Sequence, residues 1–72
     1  MTGHEFERRI RRLGRRRGVA VSFDRGPGKG SHGRLYYGES FTTLKDRTKE
    51  ISPGLLGAML AQLGLTRRDL EE

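Results

Sequence analysis

The apolar residues of this chain form two helical stripes with an alternating stretch between them. Phe6, Ile10 and Leu13 recur at i, i+4 and i+7, the spacing of one narrow helix face. Thr2 and Glu5 stand before this stripe as T-x-x-E. That predicts a capping box, with Thr2 as N-cap and Glu5 reaching back to it. Arg8, Arg11, Arg12 and Arg15 project away from the stripe, and Arg9 and Arg16 flank it. Arg17 would fall back onto it, which predicts that the helix is over by then, with Gly14 and Gly18 as candidate stops.

Val19, Val21 and Phe23 then alternate with Ala20, Ser22 and Asp24, the pattern of a half-buried strand. Arg25 to Gly33 is glycine-rich and contains Pro27, so it reads as a loop. Residues 34–37 and 40–45 make two further strands, joined by a tight two-residue turn at Gly38-Glu39. That turn sets a register: Tyr36 opposite Phe41, Arg34 opposite Thr43, His32 opposite Lys45. Tyr37, Leu35, Thr42 and Leu44 fall on the other face, which is the better core. The first set is left as an open face carrying His32, Arg34, Tyr36 and Lys45.

The closing helix has Ser52 as N-cap, Pro53 at its first position and Gly64 after its end. Leu55, Leu56, Met59, Leu60 and Leu63 make one broad apolar face, while Gly57, Ala58, Ala61 and Gln62 carry no charge. Thr66 to Glu72 reads as a short acidic tail with room for one helical turn from a Thr66/Asp69 cap. The predicted core is Phe6, Ile10, Leu13, Val19, Val21, Phe23, Leu35, Tyr37, Leu44, Ile51, Leu55, Leu56, Met59, Leu60, Leu63 and Leu65. Helix, three strands, helix is an α+β layer architecture, with two helices on one face of a three-stranded antiparallel sheet. No internal repeat appears, and residues 1–72 read as a single domain.

Size and composition narrow this further. A chain of 72 residues buries only about 60% of the surface its unfolded form exposes, so the core is small. The absence of cysteine excludes disulfides and thiolate metal sites and fits a reducing cytosol. No apolar run approaches the roughly 20 residues of a membrane span, and the N-terminus lacks the apolar region of a signal peptide. The expectation is a cytoplasmic protein without a membrane partner.

Net charge is +6, and it is unevenly placed. Residues 1–17 carry seven arginines against Glu5 and Glu7, whereas residues 38–50 are neutral and residues 51–72 slightly acidic. A basic half suits a polyanion, although a solvated helix face would look the same.

That basic half contains His32, the histidine at the mouth of a strand; His4 lies near the N-terminus. Imidazole gives and takes protons near neutral pH. The segment Gly26-Pro27-Gly28-Lys29-Gly30-Ser31 resembles a phosphate loop only in composition. The nucleotide-binding form needs lysine followed directly by serine or threonine and then a helix. No ligand cluster surrounds His32, so neither a metal nor another cofactor is expected. General acid–base chemistry on RNA fits, because the 2′-OH is an internal nucleophile that needs only a base. Lys29, Arg34 and Lys45 would stabilise the charged transition state. Arg8, Arg11, Arg12 and Arg15 would hold phosphates without reading sequence. Tyr36 and Phe41 would stack on bases, or simply protect the open sheet face. At this level His32 is equally compatible with capping the strand or binding a phosphate.

Four fragments in order resemble the HicA toxins of bacterial type II toxin–antitoxin modules, which are messenger-RNA interferases. They are Leu13-Gly14 ending the first helix; Lys29-Gly30-Ser31-His32 entering a strand; Lys49-Glu50-Ile51-Ser52-Pro53-Gly54-Leu55-Leu56, like K-E-[LI]-x-x-G-x-L; and Met59-Leu60 through Leu63-Gly64-Leu65. The resemblance implies a double-stranded-RNA-binding-domain-like α-β-β-β-α fold and His32 as the catalytic residue. It also implies a HicB-type antitoxin as partner, with the toxin monomeric alone and hetero-oligomeric in the complex. Many relatives carry a second histidine where this chain has Gly33. A second proton carrier would then be Lys29, Lys45, Tyr36 or water. A non-catalytic RNA-binding module shares every feature except the role of His32. A small interaction protein using the Gly57/Ala58/Ala61 side is a third reading.

Overall fold

The computed structural model describes residues 1–25 and 32–71. Helix α1 spans Gly3–Arg17 and starts as the sequence predicts, with Thr2 Oγ1 accepting from the Glu5 N–H at 3.2 Å. The reciprocal half of the box is replaced: the Glu5 carboxylate turns along the helix and accepts from Arg9 Nη2 at 2.8 Å. The helix stops at Gly18, whose φ of 70° lets its N–H donate to the Gly14 carbonyl. It therefore continues through Arg17, against expectation. Arg17 is accommodated because Asp69 Oδ1 meets its guanidinium at 2.8 Å. Gly14 is not the stop. A Cβ there would lie 2.5 Å from Val21 Cγ2, so its bareness lets the first strand approach the helix.

The sheet is an antiparallel meander of β1 (Val21–Asp24), β2 (Gly33–Tyr37) and β3 (Ser40–Leu44), in the order β1-β2-β3. Gly38, at φ 63°, opens the two-residue turn. Tyr36 faces Phe41 and Arg34 faces Thr43, as the turn dictates. The ladder ends at Gly33–Leu44, so the expected His32–Lys45 pair lies one step beyond it. The first strand begins at Val21, leaving Val19 and Ala20 as its approach.

One face of the sheet is buried and the other is open. Leu35, Thr42 and Leu44 are covered, whereas Arg34, Phe41 and Thr43 are exposed. Helix α1 packs on β1 and β2, and α2 (Pro53–Gln62) packs on β3. Phe6, Ile10 and Leu13 join Leu35, Leu44, Ile51, Met59, Leu60, Leu63 and Leu65 in one core. Burying a side chain such as Leu35 completely stabilises the fold by about 1.5–3 kcal/mol. Thr42 is the buried polar residue of this face, and its hydroxyl donates to Gln62 Oε1 at 2.5 Å.

Of the predicted core, Val19 lies outside the cluster because it precedes β1. Val21, Phe23, Tyr37 and Leu56 are only partly buried against the cluster. Two further assignments change. Leu55 is 47% exposed, because it sits on the flank of α2 beside the outer edge of β3. Leu70 is buried. It belongs to α3 (Arg67–Leu70), which is held by a Thr66/Asp69 capping box and packs on α1. The helical turn that the Thr66/Asp69 cap predicts is thus present, and residues 67–70 dock on the domain. Among the described residues no helix is long and apolar enough to cross a membrane.

Candidate nucleic-acid interface

The register of β2 and β3 gathers the open face. Tyr36 and Phe41 stand opposite each other, with ring centroids 5.6 Å apart and planes tilted by 44°. One step toward the sheet end, the Arg34 guanidinium lies 4.7 Å from the Phe41 ring centroid. Stacking on the ring uses the face of the guanidinium and leaves its N–H edges for phosphate oxygens. His32 precedes β2 and Lys45 follows β3, and both are exposed. The strand ends bring them to the same end of the sheet, beside Arg34 and Thr43. Lys29 lies outside the described residues, as do the rest of the expected phosphate-cradling segment and the loop interior.

The first strand adds a residue that the sequence reading missed. Asp24 stands opposite Arg34, and Ser22 opposite Tyr36, so both lie on the open face. The alternation of Val21 and Phe23 already put Asp24 on that face. The long segment between β1 and β2 concealed which residue it would meet.

Gly33 fixes how His32 enters the sheet. A Cβ on Gly33 would sit 2.4 Å from Phe23 Cζ and 2.9 Å from the Asp24 carbonyl oxygen. Phe23 is in turn covered by the Arg47 guanidinium, 4.4 Å from its ring centroid. Arg47 also bonds Glu7 at 2.9 Å, as does Arg11. Burial pushes the Glu7 carboxyl up, but the hydrogen bonds from Arg47 and Arg11 outweigh it and hold the group below its ordinary value.

The helix arginines divide into two sets. Arg8, Arg9, Arg12 and Arg15 line a shallow cleft of about 360 Å³ on the outer side of α1. Arg11 turns toward the sheet instead, bonding Glu7 and donating from Nη1 to the Val21 carbonyl at 3.4 Å. Part of this basic character stabilises the helix itself, since Arg15, Arg16 and Arg17 occupy the last turn, where the macrodipole is negative. Helix α1 covers the buried side of the sheet, so its arginine cleft and the His32 face look in opposite directions.

Among the described residues no three His, Cys, Asp or Glu side chains cluster as metal ligands would. No protein-family model, curated protein or solved structure matches this chain.

Proposed function

We propose that this chain is an endoribonuclease that cleaves messenger RNA without a metal, the toxin of a cytoplasmic type II toxin–antitoxin pair resembling HicA. The supporting observation is the end of the open sheet face, where exposed His32 enters β2 two residues before Arg34, which stacks on Phe41 beside Tyr36. The helix–three strands–helix order, with α1 and α2 contributing to one core beneath Leu35 and Leu44, supports a double-stranded-RNA-binding-domain-like arrangement. Helix α3 is an addition to it.

In this mechanism His32 takes the proton of a ribose 2′-OH, whose oxygen attacks the adjacent phosphorus. The P–O5′ bond breaks, and the leaving 5′ oxygen receives a proton. The products are a 2′,3′-cyclic phosphate and a 5′-OH. Arg34 and Lys45, with Lys29, stabilise the charge that builds on the phosphate oxygens. Tyr36 and Phe41 hold a neighbouring base by stacking. Lys29, Lys45, Tyr36 or water donates the second proton.

The arginine cleft of α1 supplies affinity for RNA, away from the reacting strand. An antitoxin of the HicB kind covers the open face, the exposed Ala58/Ala61 side of α2, or both. The orientation of the arginine cleft away from His32 also favours a second reading, a non-catalytic RNA-binding module. Expression of wild type and His32→Ala in a bacterium lacking the antitoxin separates the two. The toxin reading predicts growth arrest and messenger-RNA loss with wild type alone. Equal effects from both proteins would support the binding module.

A further inference from the structure

We propose that the outer edge of β3 is a docking site for an extended segment of a partner protein, which joins the sheet as a fourth strand. This inference stands independently of the ribonuclease reading. A two-residue turn closes on a pair that exchanges both backbone hydrogen bonds, here Tyr37 and Ser40. The same holds at every second pair, Leu35–Thr42 and Gly33–Leu44. The N–H and C=O groups of Phe41 and Thr43 therefore point outward from the sheet.

The two edges of this sheet are treated differently. On β1 the same rule points Val21 and Phe23 outward, and Arg11 caps the Val21 carbonyl. Among the described residues nothing caps Phe41 or Thr43 on β3. The strand also lacks proline and bulges, the usual protections of an edge.

The side chains around this edge suit an added strand. Phe41 and Leu55 are the large apolar residues left exposed among those described, and they flank the edge from opposite sides. On the Leu55 side a cavity of about 190 Å³ opens between Leu44, Ile51, Leu55 and Met59. Side chains of an added strand alternate between faces, so one set would cover Phe41 and the other enter this cavity. Lys45 and Lys49 stand at the cavity rim. Asp46 accepts from Thr48 at 2.6 Å and faces Lys49, and Glu50 pairs with the Met1 amino group, so Lys45 is the rim cation best placed to meet a carboxylate. The segment that fits is therefore apolar at alternate positions and carries a carboxylate near Lys45.

Alternating backbone donors and acceptors are matched by a peptide strand; a phosphodiester backbone lacks that alternation. A second copy of β3 would bring its own α2 beneath the same edge. The two helices would then compete for space that packed helices keep at 8–10 Å. A free segment brings no helix with it.

The test uses a capped synthetic peptide, Asp followed by alternating Val and Thr, titrated into the full chain while backbone amides are followed by NMR. The expected result is chemical-shift change and about 10-fold slower exchange of the Phe41 and Thr43 amides. The same peptide N-methylated at alternate residues should lose this effect, as should Thr43→Pro, which removes an outward N–H and leaves the β2 ladder intact. No protection by the peptide at millimolar concentration would overturn the proposal. So would protection of these amides by self-association, seen as a dimer in sedimentation without peptide, or by single-stranded RNA in place of peptide.

Discussion

Gly33 lies beneath the ring of Phe23, so closely that a β-carbon on it would stand 2.4 Å from Phe23 Cζ. The contact explains why the residue after His32 has no side chain here. Phe23 fills the space that a side chain needs, and Arg47 closes the other side of the ring. A side chain at position 33 therefore has to displace the Phe23 ring and also crowds the Asp24 carbonyl oxygen.

Gly33→Ala should destabilise the fold by about 1–3 kcal/mol, the range for overpacking a close-packed site. Urea unfolding at neutral pH measures this. On a Phe23→Ala background the added cost of Gly33→Ala should be smaller, because the ring is one of two obstacles and the Asp24 carbonyl is the other.

Glu7 makes stability sensitive to acid. Its folded carboxyl titrates below its unfolded value, so its contribution is complete above the unfolded range and is lost as pH falls through the folded value. Thermal melts of Glu7→Gln should show a lower Tm than wild type near neutrality. The difference should shrink as pH falls below the carboxylate range. A constant difference at all pH values would mean that the ion pairs with Arg11 and Arg47 are not its source.

How much of this was legible in the sequence depends on which contacts were local. The N-caps at Thr2 and Ser52, the Gly38 turn and the Tyr36–Phe41 register are set by neighbours a few residues apart. Spacing alone revealed them, and with them the open face. The end of α1 was misplaced because Arg17 is balanced by Asp69, 52 residues away in sequence. Leu70 was missed from the core for the same reason, since α3 is a single turn that only its dock on α1 explains. Leu55 fits the apolar periodicity of α2 as well as Leu56 does. Only the position of β3 decides that it stays exposed. Asp24 joined the open face through a pairing that the intervening segment hid, and Lys29 lies outside the described residues.

The arginines of α1 should separate by role. Neutralising Arg8, Arg12 and Arg15 to glutamine should flatten the plot of log affinity for single-stranded RNA against log salt by about 2 units of slope, if each meets one phosphate. Arg11→Gln should leave that slope nearly unchanged and lower thermal stability instead, because Arg11 holds Glu7 and the Val21 carbonyl. Filter binding across a salt series, with melts of each variant, checks both.

The cleavage chemistry has its own signature. Activity should persist in excess chelator, and a strand with 2′-deoxyribose at the cut site should resist cleavage. End-group analysis should find a 2′,3′-cyclic phosphate. Loss of activity in chelator, or cutting of the deoxy strand, would point to a different reaction.

The most direct measurement concerns His32. Purified wild type and His32→Ala are compared for fold by circular dichroism, for RNA binding, and for the rate of cleavage of single-stranded RNA. His32 is exposed and outside the core, so the variant should fold and bind as wild type does. Its cleavage rate should fall by at least about 100-fold, the lower range for loss of a general acid–base group. A folded His32→Ala protein that cleaves at close to the wild-type rate would contradict the account.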